Sequence, residues 1–204
     1  MLDIGCNDGR ATLNLIGAET AKKLELHGLE VVPEMAAKAS ERGIQVEIGN
    51  ADKPFPFGAN EFDVITANQL IEHLQNQDAF LDEVYRVLKP GGFLLLCTPN
   101  LASWHNVVAL FMGWQPFPMT IYSEKRAGIG NPITLHRGED VEHVAMLHTR
   151  VYTLRAMREL LELHDFKILE ASGSGYYPFP ASIATRMTHL DPTHSVIQFI
   201  KAAK

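Results

Sequence analysis

Strand-like and helix-like segments alternate along this chain from its first residues, and this alternation constrains the fold more than any other feature of the sequence. Helical patterns begin near residue 10 and at Pro33, and two more cover 77–88 and 153–164. Such a succession is typical of an α/β fold, in which a parallel sheet is covered by helices on both faces. Apolar runs typical of buried strands occupy residues 2–5, 26–32, 45–48, 62–67, 93–98, 166–171 and 195–201.

Two stretches of the sequence lie outside the predicted strands and helices. The Lys-Pro-Gly-Gly run at 89–92 predicts a turn that closes the helix over 77–88. Residues 99–152 interrupt the alternation and are too long for a plain connection, and long loops of this kind usually bind or cover ligands. We predict a cap over the carboxyl edge of the sheet, where ligands of open α/β folds bind. Four aromatic residues are interpreted as packing within this cap, with an aromatic wall around a substrate as the alternative: Trp104, Phe111, Trp114 and Phe117.

The composition fits one globular domain of 204 residues. No apolar run approaches the length of a membrane span, and the net charge of -6, without a lysine or arginine cluster, argues against an extended nucleic-acid interface. Two cysteines without metal-like spacing, and no recognisable signal peptide, favour the reducing cytoplasm. We therefore expect a small-molecule partner, no nucleic acid and no membrane span, and a homodimer stays open.

The first strand runs into a glycine-bounded turn, LDIGCNDG, and such turns let a ligand approach the backbone. A Walker A loop is excluded because it needs Gly-Lys-Ser or Gly-Lys-Thr. A dinucleotide fingerprint is disfavoured because Asn7 and Arg10 stand third and sixth from Gly5, where that motif needs glycines. Asp3 would repel a pyrophosphate but attract an ammonium group, so a ligand carrying an amine fits this turn better.

LDIGCNDG resembles the first motif of class I methyltransferases that depend on S-adenosylmethionine (SAM), in which an acidic residue precedes a glycine turn. The family usually has glycine where this chain has Asn7, and asparagine tolerates the left-handed backbone that the turn needs. The likeness covers nearly the whole chain, so residues 1–204 are identified as a single domain of the small-molecule type, with the cap at about 99–152. The other segments that resemble this family are LHGLEVVPEM, GNADKPFPFGANEFDVI, ANQLIEHLQNQDAFLDEVYRVLKPGGFLLLCTPN and HTRVYTLRAMRELLELHDFKILEASGSGYYP.

The resemblance implies a Rossmann-like sheet of seven mostly parallel strands, with the last strand antiparallel. It also implies methyl transfer from SAM to an oxygen, nitrogen or carbon atom of a small acceptor, with S-adenosylhomocysteine as product. The opening turn would hold the amino-acid part of SAM, Glu30 the ribose hydroxyls, and the segment beginning at Asn50 the adenine. The implied cofactor-binding residues are Asp3, Gly5, Cys6, Asn7, Gly9, Glu30, Val31, Asn50, Ala51, Asp52 and Asn68.

His73 and His148 are the candidate catalytic bases, and no metal site is predicted. His73 follows the fourth strand, and His148 precedes the helix near residue 153, with Arg150 on the same side if the segment is extended. The alternative role of His148 is a hydrogen bond that joins the cap to the core. Four of the nine histidines lie in the cap without HxH or HxxxH spacing: His105, His136, His143 and His148.

A second hypothesis is a SAM-binding domain that no longer transfers methyl groups and acts as a regulator or partner. It is motivated by Asn7 and by the helices that the family carries before the first strand, since Met1 here already lies in that strand. A start assigned too far downstream, a trimmed chain and a minimal version of the fold all stay open. Tyr176 and Tyr177 are candidates for closing an acceptor pocket.

Overall fold

The computed structural model of the chain describes residues 1–134 and 148–204. It begins with β1 (Leu2–Ile4), α1 (Arg10–Ile16), α2 (Ala18–Ala21), β2 (His27–Glu30), α3 (Pro33–Glu41), β3 (Gln45–Ile48), β4 (Phe62–Asn68), α4 (Gln77–Val87) and β5 (Leu88–Pro99). It continues with α5 (Trp104–Phe111), β6 (Ile121–Ser123), β7 (Arg126–Ile129), α6 (Leu154–Leu163), β8 (Lys167–Ser174), α7 (Ala181–Leu190) and β9 (Ile197–Ala203). Within the described ranges, no helix is both long and apolar enough to cross a bilayer.

Seven of these strands form one sheet in the order β3-β2-β1-β4-β5-β9-β8, while β6 pairs with β7 in a separate hairpin. β1 lies parallel to both of its neighbours, with Asp3 opposite Gly28 on β2 and Thr66 on β4. The predicted fold class, a mostly parallel seven-stranded sheet with the last strand antiparallel, is confirmed.

The antiparallel direction of β9 follows from its hydrogen bonds with β5. Near the start of β5, the N–H of Gly91 donates to the carbonyl of Lys204, at 3.4 Å. Just after the end of β5, the N–H of Asn100 donates to the carbonyl of Val196, at 3.0 Å. The start of β5 therefore faces the end of the chain, as antiparallel strands require.

The helix starts follow from local chemistry. α3 begins at Pro33, because a proline in the first turn lacks an N–H that would have no partner there anyway. α4 begins after Asn76, whose side chain accepts a hydrogen bond from the N–H of Ala79 at 3.1 Å. Both starts agree with those predicted from the sequence.

The prediction of a turn at residues 89–92 is wrong, since these residues belong to β5. α4 ends at Val87, and the strand begins at the next residue. The reason is pairing with the other end of the chain: the N–H of Lys204 donates to Gly92 O at 3.2 Å, and its ammonium group donates to Leu88 O at 2.8 Å. Proline and glycine predict a turn only where no distant strand supplies hydrogen bonds.

The chain divides into two compact units. The first contains Met1–Leu96, Leu161–Glu170 and Ile200–Lys204, and the second contains Cys97–Leu160 and Ala171–Phe199. The segment predicted as a cap therefore falls in the second unit, together with α7. Fully buried side chains of the first unit include Leu2, Ile4, Leu29, Ile65, Phe80 and Leu81.

Buried amide side chains hold the loops of the second unit together. Asn100 Nδ2 donates to the carbonyls of Thr193 and Ser195, at 2.7 and 2.9 Å. Asn106 Nδ2 donates to Asn100 O at 3.0 Å, while its Oδ1 accepts from the N–H of Phe117 at 2.9 Å. Because an unpaired buried amide is costly, these bonds fix the segments around the start of α5.

His164, which follows α6, lies between two carboxylates of α4 in the first unit. Its Nδ1 is 2.8 Å from Asp82 Oδ1, and its Nε2 is 3.1 Å from Asp78 Oδ1. Burial lowers the pKa of His164, but the hydrogen bonds with Asp78 and Asp82 outweigh burial, and the pKa lies above its usual value. The resulting stabilisation is complete below a pH of about 6.5 and is lost as the pH rises through the raised native pKa.

The free energy of unfolding is therefore expected to fall between mildly acidic and mildly alkaline pH, and His164→Gln is expected to make this fall smaller. Because both carboxylates are exposed, we expect a difference below about 1 kcal/mol. Urea unfolding at several pH values measures it, with His189→Gln, at an exposed position of α7, as the control. An unchanged pH profile in His164→Gln would contradict the assignment.

Candidate functional site

The turn after β1 takes a left-handed backbone at three of its positions. The φ angle is 73° at Gly5, 49° at Asn7 and 80° at Gly9. The prediction that Asn7 tolerates this conformation is confirmed, and its Oδ1 accepts a hydrogen bond from the N–H of Asp8 at 2.6 Å. A side chain at Gly9 would also collide with Ile44, whose Cδ1 lies 2.8 Å from the place of a Cβ. The turn is thus held in one shape by packing as well as by backbone geometry.

Glu30 ends β2, and its carboxylate joins the tip of this strand to the turn. Oε2 accepts from the N–H of Asn7 at 2.8 Å, and Oε1 accepts from the N–H of Val32 at 2.9 Å. Each oxygen has a second lone pair, so the carboxylate can still accept hydrogen bonds from ribose hydroxyls. Its place at the strand tip agrees with the prediction, and its contact with a ribose stays a prediction.

Asp3 is buried in β1, and both of its carboxylate oxygens accept hydrogen bonds from threonine hydroxyls. Thr66 Oγ1 donates to Oδ1 at 2.6 Å, and Thr12 Oγ1 donates to Oδ2. Burial raises the pKa of Asp3, and the two hydroxyl bonds oppose this rise. Sequence reasoning missed both threonines because nothing local connects them to Asp3. Asp3 thus ties β1 to α1 and β4, and its attraction for an ammonium group stays a prediction.

Cys6 contributes its backbone to the turn and its side chain to the core. Its thiol packs in a buried cluster with Leu26, Ala39 and Ile44. Burial raises the pKa of the Cys6 thiol to about 12, and nearby carboxylates add to the effect. The thiol is therefore protonated, and any contact of Cys6 with a ligand would come from its main chain.

The loop after β3 contains the residues predicted to meet adenine. Asn50 is exposed, and its Oδ1 accepts from the N–H of Asp52 at 2.8 Å, while Ala51 is buried. Asp52 Oδ1 accepts from the N–H groups of Gln75 and Asn76, both at 2.9 Å, which ties the loop to the start of α4. Asp52 thus fixes the loop, and Asn50 presents a polar side chain to solvent.

Apolar side chains are exposed where β2 and β3 end. Val31 is 57% exposed and Ile48 is 63% exposed, and Ile48 lies opposite Glu30 in the strand register. Asn68, the last residue of β4, is also exposed. Ligands of open α/β sheets bind at the carboxyl ends of parallel strands. An exposed apolar pair beside a carboxylate suits a purine nucleoside.

The two candidate bases belong to different units. His73 ends the 3-10 helix Ile71–His73 in the first unit and is half-buried. His148, in the second unit, is also half-buried, and its Nδ1 lies 2.7 Å from the carbonyl oxygen of Pro118. Because a carbonyl only accepts, Nδ1 carries a proton, and the lone pair of the neutral ring is on Nε2. Pro118 itself lies within the segment predicted as a cap.

Four other residues from the sequence analysis have plain outcomes. Arg150 is exposed. His136 and His143 lie outside the described residues. Phe111 was interpreted as packing within the cap, and this is wrong, since its side chain is 89% exposed at the end of α5. The apolar period of α5 does not show which of its apolar residues stay on the surface.

The second unit contains a cavity of about 450 Å³. Its lining includes Trp104, Trp114 and Phe117, together with Tyr176 and Tyr177 from the loop before α7. The hypothesis that Tyr176 and Tyr177 close a pocket is therefore supported. His105 also lines the cavity, and sequence reasoning missed it because it counted this residue only among scattered histidines.

Residues 2–96 match the sequence family described as methyltransferase domain. This segment of the chain therefore resembles a methyltransferase domain. The matched segment contains the turn after β1, Glu30 and the loop after β3, so it includes every residue predicted to bind the cofactor.

The chain is also similar to several curated proteins. It is 25% identical to the mitochondrial ubiquinone biosynthesis O-methyltransferase of Rattus norvegicus, over 88% of the chain and 47% of the relative. It is 32% identical to a demethylmenaquinone methyltransferase of Symbiobacterium thermophilum, over 63% of the chain and 54% of the relative. The chain thus spans about half the length of these curated relatives.

A solved structure shows the same fold. The SAM-dependent methyltransferase of Thermotoga maritima matches the whole chain and 80% of its own, with a TM-score of 0.66 and 18% identity. The seven-stranded sheet of this chain is therefore a fold that the Thermotoga maritima protein shares.

The residues at the carboxyl ends of β1, β2 and β3 fit SAM. The turn at residues 5–9 has the left-handed backbone at Gly5 and Gly9 that the resemblance assigns to the amino-acid part of SAM, with Leu70 and Ile44 packed where side chains of these glycines would lie. Glu30 offers a carboxylate to a diol, and Val31 and Ile48 offer apolar surface to a purine. Amino acid, ribose and adenine are the three parts of SAM other than its sulfonium.

Proposed function

We propose that this chain transfers a methyl group from SAM to an oxygen, nitrogen or carbon atom of a small-molecule acceptor. The observation that carries the proposal is the hydrogen bond from the N–H of Asn7 to the Glu30 carboxylate, which joins the left-handed turn to the tip of β2. The bond joins the turn that we assign to the amino-acid part of SAM to the acid that we assign to its ribose. The match of residues 2–96 to the family described as methyltransferase domain supports the same proposal.

When bound, SAM supplies an activated methyl group: the acceptor atom bonds to the methyl carbon, the carbon–sulfur bond breaks, and its electron pair stays on sulfur in S-adenosylhomocysteine. The chain itself provides alignment, which in well-oriented reactions contributes up to ~7 to 11 kcal/mol. The turn at residues 5–9 and Asn50 orient the two ends of the cofactor, and Glu30 fixes the ribose between them. Asp3 and Asp52 keep these groups in place through the bonds described above.

Proton removal from the acceptor is the step for which the chain offers a base. We assign it to His148, because the bond from its Nδ1 to Pro118 O leaves the lone pair of the neutral ring on Nε2. A positioned base contributes ~10² to 10⁴ in rate where the acceptor is protonated. His73, which is half-buried and follows β4, is the second candidate for the base.

SAM and S-adenosylhomocysteine are expected to raise the melting temperature of the protein, while NAD leaves it unchanged. A ligand at about a hundred times its Kd stabilises the native state by about 2.7 kcal/mol, which corresponds to about 5 to 10 °C for a chain of this size. Differential scanning fluorimetry measures the shift. An equal shift with NAD, or none with SAM, would overturn the proposal.

Binding alone does not establish transfer, so a radiolabelled methyl group on SAM and a panel of alcohols, phenols, amines and thiols complete the test. Binding of SAM with no labelled product from any acceptor would favour the second hypothesis, a SAM-binding regulator. Cys6 and Cys97 are buried and form no disulfide, which supports a reducing compartment. The net charge of -6 supports an acceptor that is not a nucleic acid.

A further inference from the structure

Arg42, the residue after α3, reaches the turn at residues 5–9 that we assign to the amino-acid part of SAM. Its Nη1 donates to the backbone carbonyl of Asp8 at 2.7 Å. The same nitrogen donates to the carbonyl of Lys38 at 2.9 Å. Lys38 lies in the last turn of α3, where carbonyls lack the N–H groups of a continuing helix. One guanidinium nitrogen therefore joins the end of α3 to the turn.

The bond from Arg42 completes the anchoring of one peptide group. In the peptide that joins Asp8 to Gly9, the carbonyl accepts from Arg42, and the N–H of Gly9 donates to the carbonyl of Cys6 at 2.9 Å. A peptide group that is bound at both ends cannot rotate without losing a hydrogen bond. Because glycine itself restricts its backbone little, the orientation of this peptide depends on such bonds.

Glu30 and Arg42 hold the turn from the two ends of one helix. The Glu30 carboxylate accepts from the N–H of Asn7, and Arg42 donates to the carbonyl of Asp8. Glu30 lies before α3 and Arg42 after it, so the helix connects the two supports. A support of the turn at Arg42 therefore complements the one that Glu30 provides.

The end of α3 also packs closely against the turn. A Cβ at Gly9 would lie 2.8 Å from Ile44 Cδ1 and 3.2 Å from Ala39 Cβ. This close approach brings the guanidinium within reach of the backbone of the turn. It also buries much of the Arg42 side chain, which is 28% exposed.

The hydrogen bond of Arg42 matters more than its charge. Its Nη2 lies 3.6 Å from Asp8 Oδ2, which is too long for a hydrogen bond, and Arg10 Nε lies 3.1 Å from the same oxygen. Ion pairs near the surface contribute little, and the Asp8 carboxylate keeps Arg10 as a partner when Arg42 is removed. What only Arg42 supplies is the donor to the carbonyl of Asp8.

We propose that Arg42 is a positioning residue for the methyl donor, because it holds the peptide between Asp8 and Gly9 in the orientation that receives the amino-acid part of SAM. The proposal rests on the proposed function, since it needs the cofactor to lie against this turn. Arg42 acts through the backbone and not by contact with the cofactor. Only binding of the amino-acid part is therefore expected to depend on it.

Two thioethers with the same nucleoside test this role. S-adenosylhomocysteine carries the amino-acid group, and 5′-methylthioadenosine has a methyl group in place of the amino-acid chain. Isothermal titration of Arg42→Ala is expected to show about tenfold weaker binding of S-adenosylhomocysteine, since the turn loses a hydrogen bond from a charged group. The Kd for 5′-methylthioadenosine is expected to change less than twofold, because this ligand has no part that lies on the turn.

A purely structural role of Arg42 predicts a different result. It would lower the melting temperature of Arg42→Ala and affect both thioethers alike. Equal weakening of the two ligands, or no weakening of either, would therefore overturn the proposal. Should Arg42→Ala fail to fold, the same comparison of the two thioethers with Arg42→Lys, which keeps the charge but not the planar fork, decides it.

Two other cations provide matched controls. Lys38→Ala removes an exposed side chain from the last turn of α3, and Arg10→Ala removes the exposed partner of the Asp8 carboxylate. Both variants are expected to bind S-adenosylhomocysteine within twofold of the unchanged protein. A loss in Arg10→Ala as large as that in Arg42→Ala would show that the ion pair of Asp8 matters and not its carbonyl, and would contradict the proposal.

The unchanged protein is titrated first. If it binds neither SAM nor S-adenosylhomocysteine, the proposed function fails, and the role of Arg42 fails with it. If the unchanged protein and Arg42→Ala bind S-adenosylhomocysteine equally well, only the role of Arg42 fails.

Discussion

Glu30→Ala is expected to weaken SAM binding by roughly ten- to a hundredfold. A hydrogen bond to a charged group contributes about 1.5 to 3 kcal/mol, and the substitution removes the acid predicted to hold the ribose. The same substitution takes away the acceptor for the N–H groups of Asn7 and Val32, so the turn loses part of its support. A lower melting temperature is therefore expected together with the loss of affinity, and isothermal titration of SAM measures the latter.

Two further variants separate these effects. Glu30→Gln keeps one acceptor oxygen in nearly the same shape, so its melting temperature is expected to fall less than that of Glu30→Ala. Glu47→Ala removes an exposed acid from β3 and is expected to change neither quantity. If folded Glu30→Ala binds SAM with the Kd of the unchanged protein, Glu30 supports the turn and does not contact the ribose.

The fold was predictable from the sequence to the extent that local patterns determine it. Every strand of the large sheet overlaps a segment predicted to be a strand. β1 is fully buried and apolar apart from Asp3, whereas β3 and β8 are exposed or half-buried along their length and carry polar residues. The helix starts at Pro33 and after Asn76 were predictable because each depends on residues within one turn. Pairing between strands far apart in the sequence was not predictable, so residues 89–92 were predicted as a turn although they belong to β5.

The candidate site, too, was predictable only where local sequence patterns determine it. The left-handed turn was predictable because Gly5, Asn7 and Gly9 are the residue types that tolerate positive φ. The partners of the acids were not, because Thr66 reaches Asp3 from another strand and Asn76 reaches Asp52 from a later helix. A motif therefore indicates where an acid lies, while the fold decides how many of its lone pairs the protein itself uses.

The cavity was predictable only in part, since Tyr176 and Tyr177 were candidates for closing a pocket. Trp104 and Tyr176 lie far apart in the sequence, so the hydrogen bond between them, and the bond from Tyr176 to Asp191, could not be predicted. An aromatic residue on an amphipathic helix has the same pattern whether it packs in a core or lines an open site. Phe111 and Trp104 occupy the two ends of α5, and one is a surface residue while the other is part of the cavity wall.

His148→Asn is expected to lower turnover by ~10² or more while the Kd for SAM stays the same. An asparagine amide can take the place of the Nδ1–H group and donate to Pro118 O, so the hydrogen bond that holds this residue is retained. What the variant lacks is Nε2, the atom to which we assign proton removal. Turnover per folded molecule, measured with SAM and an accepted substrate, tests the assignment.

The matched variant is His148→Gln, which places an amide near the position of Nε2 but loses the donor to Pro118 O. A base at His148 predicts that both variants lose turnover, because neither amide takes up a proton near neutral pH. If His148 has only a structural role, His148→Asn is expected to keep full turnover, and His148→Gln is expected to have the lower melting temperature. That second result would move the search for a base to His73, where His73→Asn is expected to cause the hundredfold loss instead.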